Sequence, residues 1–332
     1  MSTLQTGFTQ RLGIALPIVQ APIGGHTNPE LAVAVSRAGG LGMLALSWTG
    51  IDEGRAQVAA CRERLGSLPF GINLVLVWNQ HARLDGLLEA GAPVVSFFWG
   101  DPSPYLPRVR EAGALSMLTV ATPDQARRAI ELGVDVVVAQ GVEAGGHVLG
   151  EMGLMALLPQ IVDVAGTTPV LAAGGIADGR GLAAAMTLGA GGAWMGTRFV
   201  ASAEADVLPA FQEKLIATSG EATFHGTLFD EGWPEAPHRV LRSSTVEAWQ
   251  AAGRPPSGHR PGEGEVIAHT AGGDAVRRYS DSNPARGTAG DWEAMALYAG
   301  QSVGLVHDIA PAQTIVTRIA EEARQALAGH QR

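Results

Sequence analysis

Apolar residues along this chain fall into two alternating patterns. Short runs that are apolar on both faces are each followed by a longer segment in which apolar residues recur with helical period. The runs are Leu16–Ala21, Leu41–Leu46, Phe70–Val77, Pro93–Phe98, Leu115–Val120, Val134–Ala139, Pro169–Ala173 and Ala193–Phe199. Helical period follows at Pro29–Ala38, Glu53–Leu65, Ala82–Ala90, Tyr105–Ala112, Pro123–Leu132, Leu154–Ala165 and Gly179–Leu188. Eight buried strands, each trailed by a helix, predict an α/β fold: a (β/α)8 TIM barrel with its helices outside.

The alternation stops after Phe199. From Ala201 to Gly290 glycine, proline, serine and histidine rise, and the stretch from Arg254 to Gly262 excludes a long helix or a central strand. Helical period is plausible only at Asp206–Thr218 and Ser244–Ala252. We therefore expect residues 201–290 to form a small, mainly helical inserted lid, with an unstructured surface loop as the alternative. Residues 1–200 and 291–332 form the barrel, whose last helix falls at Ile309–Leu327.

Composition narrows the function classes. The 332 residues are 46% hydrophobic and 17% charged with 44 glycines, which fits a globular protein with much glycine to explain. Part of it ends helices, at Gly39, Gly91, Gly113, Gly133 and Gly189, each just before a strand. The net charge is −9 and Lys214 is the lone lysine, so no basic stripe exists to neutralise a nucleic acid. No cationic, then apolar leader and no run near the roughly 20 apolar residues of a membrane span is present, so a cytoplasmic protein is expected. Cys61, the single cysteine, falls in a helix and excludes an internal disulfide or a thiolate metal cluster.

Barrel chemistry sits just after the strands. After the seventh comes Gly174-Gly175, and within the eighth Trp194-Met195-Gly196-Thr197. Paired glycines entering a helix leave N–H groups bare, and loops seven and eight are where barrels hold phosphate, so a phosphate site is expected there. Tight turns without a ligand are the alternative, and no lysine follows as a triphosphate loop requires. After the sixth strand comes Gln140, then Gly145-Gly146-His147. Gln140 has an amide suited to a heteroaromatic edge. His147 lacks metal-ligand neighbours, so no metal is expected, and a histidine at a barrel mouth serves as general acid or base.

These motifs, with Gln20-Ala21-Pro22-Ile23, Phe70-Gly71-Ile72-Asn73-Leu74 and Leu297-Tyr298-Ala299-Gly300-Gln301, resemble the FMN-dependent nitronate monooxygenases over about Leu12–Val200 and again near 297–305. The framework is shared with flavin enoyl-carrier-protein reductases and an NADH:quinone reductase. Gln20-Ala21-Pro22 resembles the monooxygenase sequence, and Thr119 stands where the quinone reductase has lysine. Ile23 and Phe98-Trp99 depart from the monooxygenase pattern.

The resemblance implies non-covalent FMN, with the backbone of Ala21, Pro22 and Ile23 along the reactive edge. Asn73 and Gln140 would bond the ring or ribityl chain, and Gly145 and Gly146 would approach the flavin. Gly174, Gly175, Trp194, Met195, Gly196 and Thr197 would hold the phosphate. His147 would be the catalytic residue, poised near its transition between neutral and cationic forms, and Tyr298, Gln301 and Phe98 would line the substrate side with Phe97, Trp99 and Trp78 nearby. The implied reaction is oxidation of a small alkyl nitronate, or its nitroalkane, with O2 to a carbonyl compound and nitrite. An NAD(P)H-dependent reductase of an enoyl thioester or quinone, and a flavin-binding barrel without catalysis, are the alternatives. The oligomeric state is not readable from these residues.

Overall fold

Asn28, Thr122 and Asp178 each precede a barrel helix and accept a hydrogen bond from a backbone N–H of its first turn, so three helix starts are fixed by short polar side chains. The five glycines expected to end helices all have positive φ, between 69° and 97°. This punctuation places the helices at Pro29–Arg37, Ile51–Leu65, His81–Glu89, Leu106–Glu111, Pro123–Glu131, Leu154–Ala165 and Gly179–Thr187.

The computed structural model describes residues 4–329. Its strands are β1 (Ile18–Gln20), β2 (Met43–Ala45), β3 (Gly71–Val75), β4 (Val94–Phe98), β5 (Leu115–Val120), β6 (Val136–Gln140), a two-residue β7 (Gly146–His147), β8 (Val170–Ala173) and β9 (Gly192–Met195). All but β7 form one parallel eight-stranded sheet in the order β1-β9-β8-β6-β5-β4-β3-β2. Leu41 closes it: its N–H donates to Ile18 at 2.9 Å and its carbonyl accepts from Gln20 at 3.0 Å. The fold is a (β/α)8 TIM barrel.

The eighth strand is shorter than the expected Ala193–Phe199. It ends at Met195, and Thr197–Val200 make a helical turn in which Phe199 and Val200 donate to the Gly196 carbonyl. An apolar run had hidden the change of conformation at Gly196. An unforeseen helix, Gly7–Leu12, fills the N-terminal end of the barrel, where Phe8 packs with Val19, Met43, Met117 and Leu171. The last helix begins at Ala312, after Pro311, rather than at Ile309, and packs between helices 179–187 and 29–37 as an eighth barrel helix must. Cys61 is buried in helix 51–65, and burial pushes its thiol up to about 12.

The insertion is ordered, and it is not mainly helical. It carries helices Pro209–Ile216 and Ser244–Ala251, close to expectation, but adds β10 (Thr223–Gly226), β11 (His238–Leu241), β12 (Val266–His269), β13 (Ala275–Arg277) and β14 (Ala289–Gly290). β11 lies between β10 and β7, with His238 opposite His147, so the insertion is stitched to the loop after β6. These strands are too short and too rich in polar residues for a periodic signal. Packing around Phe229, Val240, Val246 and Tyr279 runs on through Ala296 to Tyr298. Among the described residues, no helix is long and apolar enough to cross a membrane.

Candidate active site

A cavity of about 450 Å3 opens at the C-terminal ends of the barrel strands. It brings together Ala21, Pro22, Ile23, Asn73, Phe98, Gln140, Gly145, Gly146, His147, Gly174, Gly175, Trp194, Gly196, Thr197 and Tyr298 from nine separate stretches of sequence. Two of the expected residues lie elsewhere. The Met195 side chain is buried between strands and helices, because neighbours on a strand face opposite sides, and its carbonyl accepts from the Ala21 N–H at 2.8 Å. Gln301 is exposed outside the cavity, its N–H bonded to Glu143. Phe97 likewise packs outward against the helices, while Phe98 faces in.

The glycines divide by cause. Gly174 and Gly175 have φ of +100° and +70°, a conformation that side chains strain. At Gly145 the cause is packing: a Cβ would stand 2.3 Å from the Gly300 nitrogen and 2.5 Å from the Ala299 carbonyl carbon, so its bare face meets the chain rather than a ligand. At Gly146, by contrast, a Cβ would meet nothing within 4 Å, and at Gly196 the nearest atom would be the Ala21 Cβ at 3.7 Å. Gly146, Gly175 and Gly196 therefore leave backbone open toward the cavity. Thr197 and Ser302 add hydroxyls, and no lysine or arginine is among the lining residues. Arg198 stands behind, buried against Asp308 at 2.8 Å. Such a set fits a phosphate held by N–H and hydroxyl donors.

Gln140 lines the cavity and has a structural task as well. Its Nε2 donates to the His147 carbonyl at 3.0 Å and its Oε1 accepts from Leu149 at 3.0 Å, so the amide holds the His147 loop with one N–H and one lone pair. Val148 donates to Pro237 at 2.8 Å and Arg239 donates twice to Val142, which ties the same loop to the insertion. Asn73 donates through its Nδ2 to the carbonyl and the hydroxyl of Ser96, 3.2 and 3.3 Å away.

The opposite wall is aromatic. The His147 ring stacks on Trp233 with centroids 4.0 Å apart and planes 23° from parallel. Trp99 stands edge-on to both, and Trp78 and Trp48 continue the cluster outward, Trp48 being 52% exposed. Trp99 holds φ of 58°, left-handed for a bulky residue, where the chain leaves β4. Strain of this kind persists where packing fixes it.

Burial pushes His147 down to about 3, with His238 adding to the effect, and its Nε2 is buried without a hydrogen-bond partner. The ring is thus firmly neutral at physiological pH, not poised at its transition. His238, pushed down to about 4 by burial, is neutral as well: Phe229 donates to its Nε2 at 3.2 Å, which leaves its Nδ1 proton for the Ala236 carbonyl at 2.9 Å. Tyr298 donates to the Asp281 carbonyl at 3.1 Å, and burial raises its phenol well above the usual value. A neutral imidazole, a neutral phenol and a bare backbone cradle thus share one cavity.

Sequence reasoning missed Trp233, Asp281, Ser282, Asn283, Trp48 and Ser302 in the lining, and His238 behind His147. Trp233 alone carried a signal, a tryptophan in the polar turn-like stretch Asp230-Glu231-Gly232-Trp233-Pro234. Asn283 reaches across from the insertion to donate to the Gly24 carbonyl at 2.6 Å.

A family model for nitronate monooxygenase matches residues 5–82 and 77–322 of the chain. A nitronate monooxygenase of Pseudomonas aeruginosa is 31% identical over 369 residues, covering 96% of this chain and 99% of that one. A (3aS,4S,5R,7aS)-5-hydroxy-7a-methyl-1-oxo-octahydro-1H-indene-4-carboxyl-CoA dehydrogenase of Mycobacterium tuberculosis is 35% identical over 254 residues, covering 76% and 70%. Among solved structures, FabK from Thermotoga maritima superposes with a TM-score of 0.84 at 32% identity over 98% of both chains. The nitroalkane oxidase of Streptomyces ansochromogenes gives 0.77 at 28% identity, over 98% of this chain and 100% of its own.

Proposed function

The chain belongs to the nitronate monooxygenase family, a family of flavin-dependent oxidoreductases, and on that premise we propose that it uses FMN and O2 to convert a small nitronate, or its parent nitroalkane, into a carbonyl compound and nitrite. The observation that supports this reading best is His147: a neutral ring whose Nε2 has no protein partner, at a cavity whose other side is bare backbone.

FMN would rest its phosphate on Gly175, Gly196, Thr197 and Ser302, with Ala21 to Ile23 and Asn73 beside the ring. When bound, it supplies the electron acceptor and the route to O2. The protein supplies position and proton handling. Gln140 fixes the His147 loop, and Trp233 fixes the ring plane. A neutral His147 would accept the α-proton of a nitroalkane at whichever ring nitrogen carries no proton, whereas a cationic His147 pairing with a nitronate is disfavoured by the same burial. The tryptophans exclude water from an apolar tail.

Anaerobic addition of nitroethane or its nitronate to the FMN-loaded protein should change the flavin spectrum, and NADH should not. Rapid bleaching by NADH alone would overturn the reading. His147→Asn should keep FMN and lose about 10²–10⁴-fold in turnover of the neutral nitroalkane, the usual worth of a positioned base. Unchanged turnover would remove His147 from the chemistry.

A second reading, reduction of an enoyl thioester, is favoured by the likeness to FabK and to the CoA dehydrogenase. Against it, no lysine or arginine lines the cavity to meet the diphosphate of a CoA ester. The NADH experiment separates the two.

A further inference from the structure

The wall that the insertion gives the cavity depends on a residue outside it. Arg260 lies in the stretch rich in proline and glycine after helix 244–251, yet its side chain is only 5% exposed. Its guanidinium donates to the Leu228 carbonyl at 3.1 Å, to Asp230 at 2.8 Å, to Glu263 at 2.7 Å and to Ser257 at 3.2 Å. Its central carbon stands 4.2 Å from the centre of the Tyr279 ring, and the Tyr279 hydroxyl donates to the Pro261 carbonyl at 2.8 Å. Three segments, 228–233, 257–263 and 279–283, thus meet at one buried cation. The first and third are also joined to each other, since Glu231 donates to the Tyr279 carbonyl at 3.2 Å and Asp281 to the Glu231 carbonyl at 3.0 Å. Tyr279 holds φ of 73°, left-handed for a bulky residue, where the surroundings must impose it. Beyond these contacts both segments run into the cavity, the first as Trp233 and the third as Asp281 and Asn283. Among the described residues, Arg260 makes the one salt bridge to either of them.

We propose that Arg260 is a positioning residue for the reaction: by clamping segments 228–233 and 279–283 together it holds Trp233 against His147, and so fixes the plane of the His147 ring without touching substrate or cofactor. The step it serves rests on the function proposed above; the clamp rests on the contacts. Trp233 stacks on His147 at 4.0 Å, so a small tilt of its segment releases the ring. Removing the α-proton of a neutral nitroalkane needs the ring in line, whereas a nitronate has already lost that proton. Loss of the clamp therefore acts mainly on the nitroalkane. Gly175, Gly196 and Thr197, on the barrel side of the cavity, make no contact with Arg260, so FMN should stay.

The test compares FMN-loaded wild type with Arg260→Lys, which keeps the charge but loses the planar fork, and Arg260→Met, which loses both. Turnover of nitroethane should fall about tenfold in the first and about a hundredfold in the second, the order expected when a reacting group moves by about an ångström. Turnover of its nitronate should fall less, and FMN should be retained. The His147 ring, uncovered as Trp233 tilts, should titrate above its wild-type value of about 3, read from the imidazole proton resonances that His147→Asn removes. A role confined to stability gives another pattern, in which nitroethane turnover, nitronate turnover and FMN retention are lost in step. That pattern, an unchanged His147 titration, or an unchanged ratio of nitroethane to nitronate turnover overturns the proposal. Should Arg260→Met not fold, Arg260→Lys carries the comparison. Failure of the nitro-compound reading looks different: the wild type turns over neither nitroethane nor its nitronate, yet the rise in the His147 titration with FMN retained upholds the clamp.

Discussion

The cavity has two walls of unlike construction. On the barrel side stand Ala21, Asn73, Gly175, Gly196 and Thr197, at or just beyond the ends of strands whose spacing the sheet fixes. On the facing side stand Trp233, Asp281 and Asn283 of the insertion, carried by turns, and Tyr298, just beyond the insertion and bridged to its Val240. The barrel wall offers open backbone and hydroxyls, while the insertion wall offers rings and one carboxyl. A cofactor common to a family suits the first, and a substrate peculiar to one member suits the second. His147 belongs to both, since it follows a barrel strand yet pairs with β11 and stacks on Trp233.

The seam between the walls holds three neutral histidines, and acid should open it. His26 bonds Asp206 of the insertion through its ring and its carbonyl, and His147 lies opposite His238. Burial pushes them down to about 4, 3 and 4. In the unfolded chain each ring takes its proton near pH 6.5, so unfolding binds protons between that pH and about 4. Stability is therefore full above about pH 6.5 and falls as the pH drops, by up to about 1.4 kcal/mol per pH unit for each ring. Asp281, raised to about 6, works in the opposite sense over the same interval and offsets part of this slope. Denaturant unfolding at stepped pH measures the slope, and a stability flat from pH 7 to 4.5 would mean that the rings reach water.

Trp233→Ala should be the most costly single change on the insertion wall, about 3–5 kcal/mol for a buried tryptophan. It also uncovers His147, whose ring should then titrate closer to its ordinary 6.5, a change readable by NMR of the imidazole protons. A stable variant in which His147 stays low would assign the depression to His238 instead.

On the barrel wall a pair of alanine substitutions separates packing from ligand contact. Gly145→Ala drives a methyl into the Ala299–Gly300 backbone and should cost about 1–3 kcal/mol, as overpacking does, with the 299–301 segment shifted. Gly196→Ala meets only the Ala21 methyl at 3.7 Å and should leave stability nearly unchanged while weakening FMN retention. Thermal melts with and without added FMN read both effects. Equal losses in the two variants would erase the distinction between the glycines.

The same contrast decides what the sequence made legible. All eight barrel strands were found because burial on both faces leaves unbroken apolar runs, and helix ends were found because only glycine suits the left-handed position at Gly39 or Gly189. Gly174 and Gly175 are left-handed for the same reason, whereas Gly196, at φ −98°, was legible from its place at the end of the eighth strand. Trp233 and Asp281 were not, since their approach depends on how a polar segment folds back over the barrel. Gln140 was located in the lining, but its hold on the His147 loop was not legible, because an amide reads alike whether it meets a ligand or a neighbouring loop.

Gln301 tests how far motif position can stand in for geometry, with the smallest expected effect. It lies two residues beyond Ala299 in the stretch that resembles the monooxygenases, yet it is exposed and outside the cavity, and the bond it makes to Glu143 comes from its backbone. Gln301→Ala keeps that N–H and removes only solvated atoms, so stability should change by less than about 0.5 kcal/mol. Steady-state turnover of a nitroalkane should be unchanged within error. A raised KM would mean that the 300–305 turn swings its side chain inward when substrate binds, and the substrate wall would then extend beyond Tyr298 and Ser302.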